Sequence, residues 1–164
     1  MGNGRWDANA WSGYAASAVK GKTRTQIFTS SGMQDEFNPA KIDMRESRDS
    51  ADNPMSTPIM LASDVTGSMG MIAETLIREH LNKLATEIYD RKPVTDPHIM
   101  MAAVGDAKTD RAPLQVTQFE ADIRVAEQAT KLWLEGYGGG NGGESYLLAP
   151  LFAATKVSAD AIEK

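Results

Sequence analysis

A chain of 164 residues suffices for one ordinary domain with its own core, and 41% hydrophobic with 24% charged residues is a globular composition. A net charge of −5 and a pI near 5.0 argue against a nucleic-acid or anionic-membrane surface as the main partner. The chain has no cysteine, which excludes disulfides and thiolate metal sites and fits a reducing, cytoplasmic setting; it also has no signal-peptide core and no apolar run long enough to span a membrane.

Residues 1–57 read as a leader and connector. Asp7 can cap a helix over Ala8 to Lys20 that Gly21 ends, and Trp6, Trp11 and Tyr14 give it aromatic area to pin it onto the domain. Thr25 to Thr29 is expected to be a short strand. Gly21-Lys22-Thr23 mimics the end of a phosphate-binding loop, but position 16 is Ala where that loop needs glycine. Arg45 to Asn53 is dense in charge and short polar residues and reads as a solvated connector.

Residues 58–164 form the second unit. Ile59 to Ala62 is apolar at every position, as in a strand covered on both faces. It runs into Asp64-Val65-Thr66-Gly67-Ser68-Met69-Gly70, and a helical pattern from Met71 to Arg91 follows at once. One carboxylate and two hydroxyls therefore gather where a strand turns into a helix. This is an oxygen-only donor set of the kind a hard cation prefers. The alternative is a turn whose Asp and Ser cap the helix. His98 to Val104 reads as a buried second strand, Gly105 to Pro113 as a polar turn, and Leu114 to Phe119 as a third, antiparallel strand. Glu120 and Asp122 open another helix, which Gly136 can end. The run Gly138-Gly139-Gly140-Asn141-Gly142-Gly143-Glu144-Ser145 is either a flexible connector or a loop whose backbone approaches a ligand, with oxygens at Asn141 and Glu144. A helical pattern resumes over Tyr146 to Thr155, with Pro150 an awkward interior residue.

The segment Asp64 to Met69 resembles the D-x-S/T-G-S-M signature of von Willebrand factor A domains, and the glycine run resembles the G-G-G-D/N-x-x-E variant of hemicentin-like and alpha-kinase-associated members. The resemblance spans roughly residues 57–164. It implies an α/β, Rossmann-like three-layer sheet flanked by helices and a metal-ion-dependent adhesion site. Mg²⁺ or Mn²⁺ would be held by Asp64, Thr66 and Ser68, with Asn141 and Glu144 as further candidates. Asn141 stands roughly where most members carry a metal-binding threonine. The resemblance further implies a non-enzymatic binding module whose protein partner supplies an acidic side chain, with AAA-type ATPases among the associates of intracellular relatives. The family continues into another central strand, whereas this sequence stops at Lys164, after the third helix. The first strand is therefore expected to lack one neighbour. Self-association, a complementing chain or the leader folded over the open edge would cover it.

Two further readings stand beside this one. Asp64 to Ser68 also resembles the D-K-T-G-T motif of P-type ATPases in the haloacid-dehalogenase superfamily, and Gly105 to Pro113 resembles their G-D-G-x-N-D-A-P motif. Asp64 would then be a phosphoryl-accepting nucleophile, with Asp106 and Asp110 holding Mg²⁺. Only 42 positions separate Asp64 from Asp106, too few for the intervening hydroxyl and lysine motifs, and Val65 replaces the motif lysine. The last reading is a structural module whose metal site has decayed.

Overall fold

The computed structural model describes residues 4–67, 69–135 and 145–163. Three strands form the central sheet: β2 (Thr57–Asp64), β3 (Pro97–Val104) and β4 (Leu114–Val116), in the order β2-β3-β4. β2 and β3 are parallel, in register from Thr57 opposite Pro97 to Asp64 opposite Val104, and β4 is antiparallel to β3. The chain crosses between the parallel strands through one long helix built from α3 (Gly70–Thr75), a π-helical turn (Leu76–His80) and α4 (Leu81–Arg91). Lys92 adopts the left-handed conformation (φ 48°) and, with Pro93 behind it, stops the helix.

β3 is buried at every position, as an uninterrupted apolar run in a central strand should be. Its alternate side chains serve two cores. Ile99, Met101 and Ala103 join Ile77 and Leu81 of the crossover helix, Trp11 and Val19 of the leader, and Val125, Ala126 and Ala129 of α5 (Arg124–Ala129). Met100, Ala102 and Val104 face Ala149 and Phe152 of α6 (Leu148–Lys156). The fold is thus mixed α/β, with helices on both faces of the sheet.

Four expectations need correction. β2 is half-exposed over most of its length rather than covered on both faces; among the described residues β3 is its one neighbouring strand, in keeping with the neighbour it was expected to lack. The segment expected as a strand over Thr25 to Thr29 is instead α2 (Arg24–Ile27). There the Thr23 N–H donates to Gln26 Oε1 at 2.8 Å, and this reciprocal N-terminal cap favours a helical turn over extended chain. The presumed connector holds β1 (Arg45–Ser47), parallel to β5 (Val157–Ala159) in a separate two-stranded sheet. Arg48 secures it through Asp160 of α7 (Asp160–Glu163) at 2.9 Å. Finally, Pro150 lies in the first turn of α6, where its missing N–H breaks no helical hydrogen bond.

The leader packs as part of the same body. α1 (Ala8–Tyr14), capped by Asp7 through the Asn9 and Ala10 amides, continues as a π-helical turn to Val19. Trp6 and Trp11 stack with centroids 5.8 Å apart, Trp6 donates to Asn82 Oδ1 at 3.0 Å, and Tyr14 bonds Thr130 at 2.8 Å. The aromatic trio therefore fixes α1 to the crossover helix and to α5, as packing residues.

Candidate functional site

The C-terminal ends of β2 and β3 lie side by side, and the loops leaving them build the site. Because Val65 N–H donates to Val104 O at 3.0 Å, the ladder holds the chain one residue beyond β2. The backbone then turns sharply: Met69 N–H bonds Thr66 O at 2.9 Å, and the crossover helix begins at Gly70. Inside this turn the Asp64 carboxylate folds over its own loop. Its Oδ1 accepts the Thr66 N–H at 2.8 Å and the Thr66 hydroxyl at 2.6 Å. Asp64 and Thr66 are both buried. The other oxygen, Oδ2, accepts the phenol of Tyr146 at 2.9 Å.

Tyr146 reaches this point because the chain following the glycine-rich stretch is tied to the same sheet end. Ser145 N–H donates to Gly105 O at 3.1 Å, and Ser145 Oγ accepts the Ala107 N–H at 3.0 Å. Asp64, Thr66 and the entry to α6 are thereby brought together. Ser68, Asn141 and Glu144, the other expected ligands, lie outside the described residues.

The turn after β3 is closed by its own carboxylates. Asp106 is buried, and its oxygens accept the Lys108 N–H at 2.9 Å and the Thr109 hydroxyl at 3.0 Å. Asp110 Oδ2 accepts the Asp106 N–H at 2.7 Å. Gly105 is required beside it, since a Cβ there would come within 2.5 Å of Asp110 Oδ2. Glu135 clamps the far side of the turn, accepting the Arg111 and Ala112 amides at 2.9 and 3.1 Å and the Arg111 Nε at 2.8 Å. Burial alone would raise the Glu135 pKa, but these donors outweigh it and hold the carboxyl below its ordinary range.

Two contributors escaped the sequence reading. Tyr146 falls within a helical apolar pattern and carries no local mark of its role. Arg24, an exposed cation from the leader, stands over the loop; a Cβ on Gly70 would sit 3.1 Å from its Nη1. Arg24, Gly67 and Gly70 share a recess of about 150 Å³ with Phe28 and Leu134.

Among the described residues, no three His, Asp or Glu side chains converge on one point. The donors that do converge are one carboxylate and a neutral hydroxyl, both oxygen, which suits Mg²⁺ or Mn²⁺ and suits softer ions poorly. Also among the described residues, no helix is long and apolar enough to cross a membrane. No family model matches the sequence, and comparison with curated proteins and with solved structures returns no match.

Proposed function

We propose that the chain is a metal-dependent protein-binding module of the von Willebrand factor A kind, without catalytic turnover. The observation that carries this reading is the convergence of Asp64 and Thr66, 2.6 Å apart, at the C-terminal end of a parallel strand where a long helix begins. The order of elements adds support. A strand, a crossover helix and a parallel neighbour are the parts of the Rossmann-like sheet that the resemblance implies. Asp64, Thr66 and Ser68 would hold the ion, with Asn141 and Glu144 as further donors from the glycine-rich stretch.

The chemistry that the ion supplies is attraction for an anionic oxygen. One Asp and neutral hydroxyls leave a divalent cation under-neutralised, and Mg²⁺ favours six oxygens. An acidic side chain from a protein partner completes both shell and charge, and Arg24 at the rim adds a second attraction for it. An AAA-type ATPase is one partner of this description that the resemblance suggests.

Calorimetric titration with Mg²⁺ and Mn²⁺ tests the reading. Binding at millimolar concentration or tighter, with a matching rise in thermal midpoint, is expected, and Asp64→Asn is expected to lose both. A flat titration of the folded wild-type chain would sink the metal site and leave the structural-module reading in place.

The phosphotransferase reading draws its support from Asp64 and Asp106 following adjacent parallel strands. Against it, Asp106 and Asp110 already close their own turn, and Val65 stands where the phosphorylation motif carries lysine. Incubation with acetyl phosphate and Mg²⁺ should leave Asp64 unmodified. A hydroxylamine-labile label lost in Asp64→Asn would reverse the ranking.

A further inference from the structure

The rim of the sheet carries a hydrogen-bonding pattern that complements itself. Thr57 and Val65 donate their N–H groups to Asp96 O and Val104 O of the neighbouring segment, both at 3.0 Å. Alternate residues of a strand point their amides the same way, so the backbone groups of Pro58, Met60, Ala62 and Asp64 face away from β3. β2 has no partner strand on that side among the described residues. The outward row is unusual in composition. Pro58 has a carbonyl but no N–H, as suits a rim position. No charged residue occurs from Thr57 to Ser63, so the edge lacks the lysines and inward charges that normally blunt one. Beside it runs an open groove of about 670 Å³, lined by Met60, Leu61, Met71, Ile72, Leu76 and Leu84 among others. Met71 and Ile72 are 66% and 43% exposed, a large apolar surface at the start of the crossover helix.

We propose that this edge pairs with β2 of a second copy, antiparallel and two-fold symmetric about Leu61. In that register Met60 of one copy lies opposite Ala62 of the other, and each residue donates to and accepts from its opposite. The Asp64 N–H meets the Pro58 carbonyl. Every outward N–H of both strands is satisfied. The donor that Pro58 lacks would have faced the Asp64 carbonyl, which already accepts the Ser63 hydroxyl at 3.3 Å. Shifting the centre to Met60 sets Pro58 opposite Ala62, so the Ala62 carbonyl loses its donor and the Asp64 amide is left over. Side chains agree with the Leu61-centred register. Large Met60 faces small Ala62, and Leu61 meets its symmetry mate on the face that carries the helix groove, where the close pairs of an antiparallel ladder bring side chains together. The two-fold axis stands normal to the sheet, so both crossover helices flank the junction on one face and cover Met71 and Ile72. The pairing is made by backbone, and it stands or falls independently of metal binding.

Sedimentation equilibrium of the full chain tests it. A concentration-dependent species of twice the 17.7 kDa chain mass is expected. Hydrogen exchange at the Met60, Ala62 and Asp64 amides should slow on the order of a hundredfold between dilute and dimeric samples. Ala62 is exposed, so Ala62→Lys should keep the wild-type circular dichroism while staying monomeric. Three outcomes overturn the proposal: a wild-type monomer with fast exchange at those amides, a monomer in which they are slow, which would mean another part of the chain covers the edge, or a dimer that survives Ala62→Lys.

Discussion

The phenol of Tyr146 donates a 2.9 Å hydrogen bond to Asp64 Oδ2, across 82 positions of sequence. It fastens the start of α6 to the carboxylate on which the proposed ion depends. Tyr146 is 57% exposed, so the bond lies at the mouth of the site. A cation drawing on Oδ2 must compete with this donor. Tyr146→Phe is therefore expected to tighten Mg²⁺ or Mn²⁺ binding several-fold while lowering metal-free stability by about 0.5–1.5 kcal/mol. Calorimetric titration beside urea unfolding measures both. Weakened ion binding in Tyr146→Phe would instead make the phenol part of the ion's own setting.

Thr66 supplies Asp64 with a backbone and a side-chain donor at once. Thr66→Ser keeps the hydroxyl and should retain ion binding. Thr66→Val keeps shape but removes the hydroxyl, leaving Asp64 Oδ1 with the amide alone. Loss of the buried hydroxyl should cost about 1–3 kcal/mol and abolish the divalent-ion rise in thermal midpoint. Equal ion binding by both variants would remove Thr66 from the ligand set.

Much of the scaffold was legible because its signals are local. The unbroken apolar run of β3 and the three- and four-residue steps of Met71 to Arg91 each specify one element regardless of the rest. For β2 the same rule misleads on burial alone: Ile59 to Ala62 reads as covered on both faces, whereas the missing neighbour was expected and Pro58, with no N–H to give one, agrees with it. Thr23 and Gln26 likewise spelled an N-terminal cap across the start of the expected strand. Asp64 and Thr66 could be paired from sequence because two positions separate them. The contacts of Tyr146 with Asp64 and of Ser145 with Gly105 could not, since they exist only once the sheet has formed.

Glu120 gives a pH signature with a definite sign. It is buried beside β3, bonded to Gln128 at 3.1 Å and paired with Arg124 at 3.0 Å. Burial raises its pKa above the ordinary carboxylate value, and Arg124 offsets this only in part. A carboxyl whose pKa is raised on folding favours the folded state below its unfolded pKa. That contribution is lost as pH rises through the folded value. Glu120→Gln should therefore unfold with a flatter pH profile in this window and gain on the wild type at its upper end. Urea unfolding at closely spaced pH values measures the slope, and parallel profiles would show that Glu120 does not titrate differently on folding.

The leader shares the core of the sheet, and its removal should be felt there. Phe37, Phe28, Ile27, Val19 and Trp11 all sit buried in the cluster that contains Leu81 and Met101. Arg78 of the crossover helix binds the leader backbone as well, donating to Val19 O at 3.1 Å and Lys22 O at 2.5 Å. Phe37 is only 2% exposed, so Phe37→Ala opens a cavity at the joint and should cost about 3–5 kcal/mol. Leu81, fully buried on the helix side of the same cluster, should cost about 2–5 kcal/mol as Leu81→Ala. Because both belong to one cooperative unit, either change should lower a single unfolding transition for the whole chain. In a Trp133→Phe background, where Trp6 and Trp11 of the leader are the remaining tryptophans, fluorescence and circular dichroism of the helices should then report the same midpoint in each variant. Separate midpoints, with Phe37→Ala moving only the fluorescence, would show that the leader unfolds on its own.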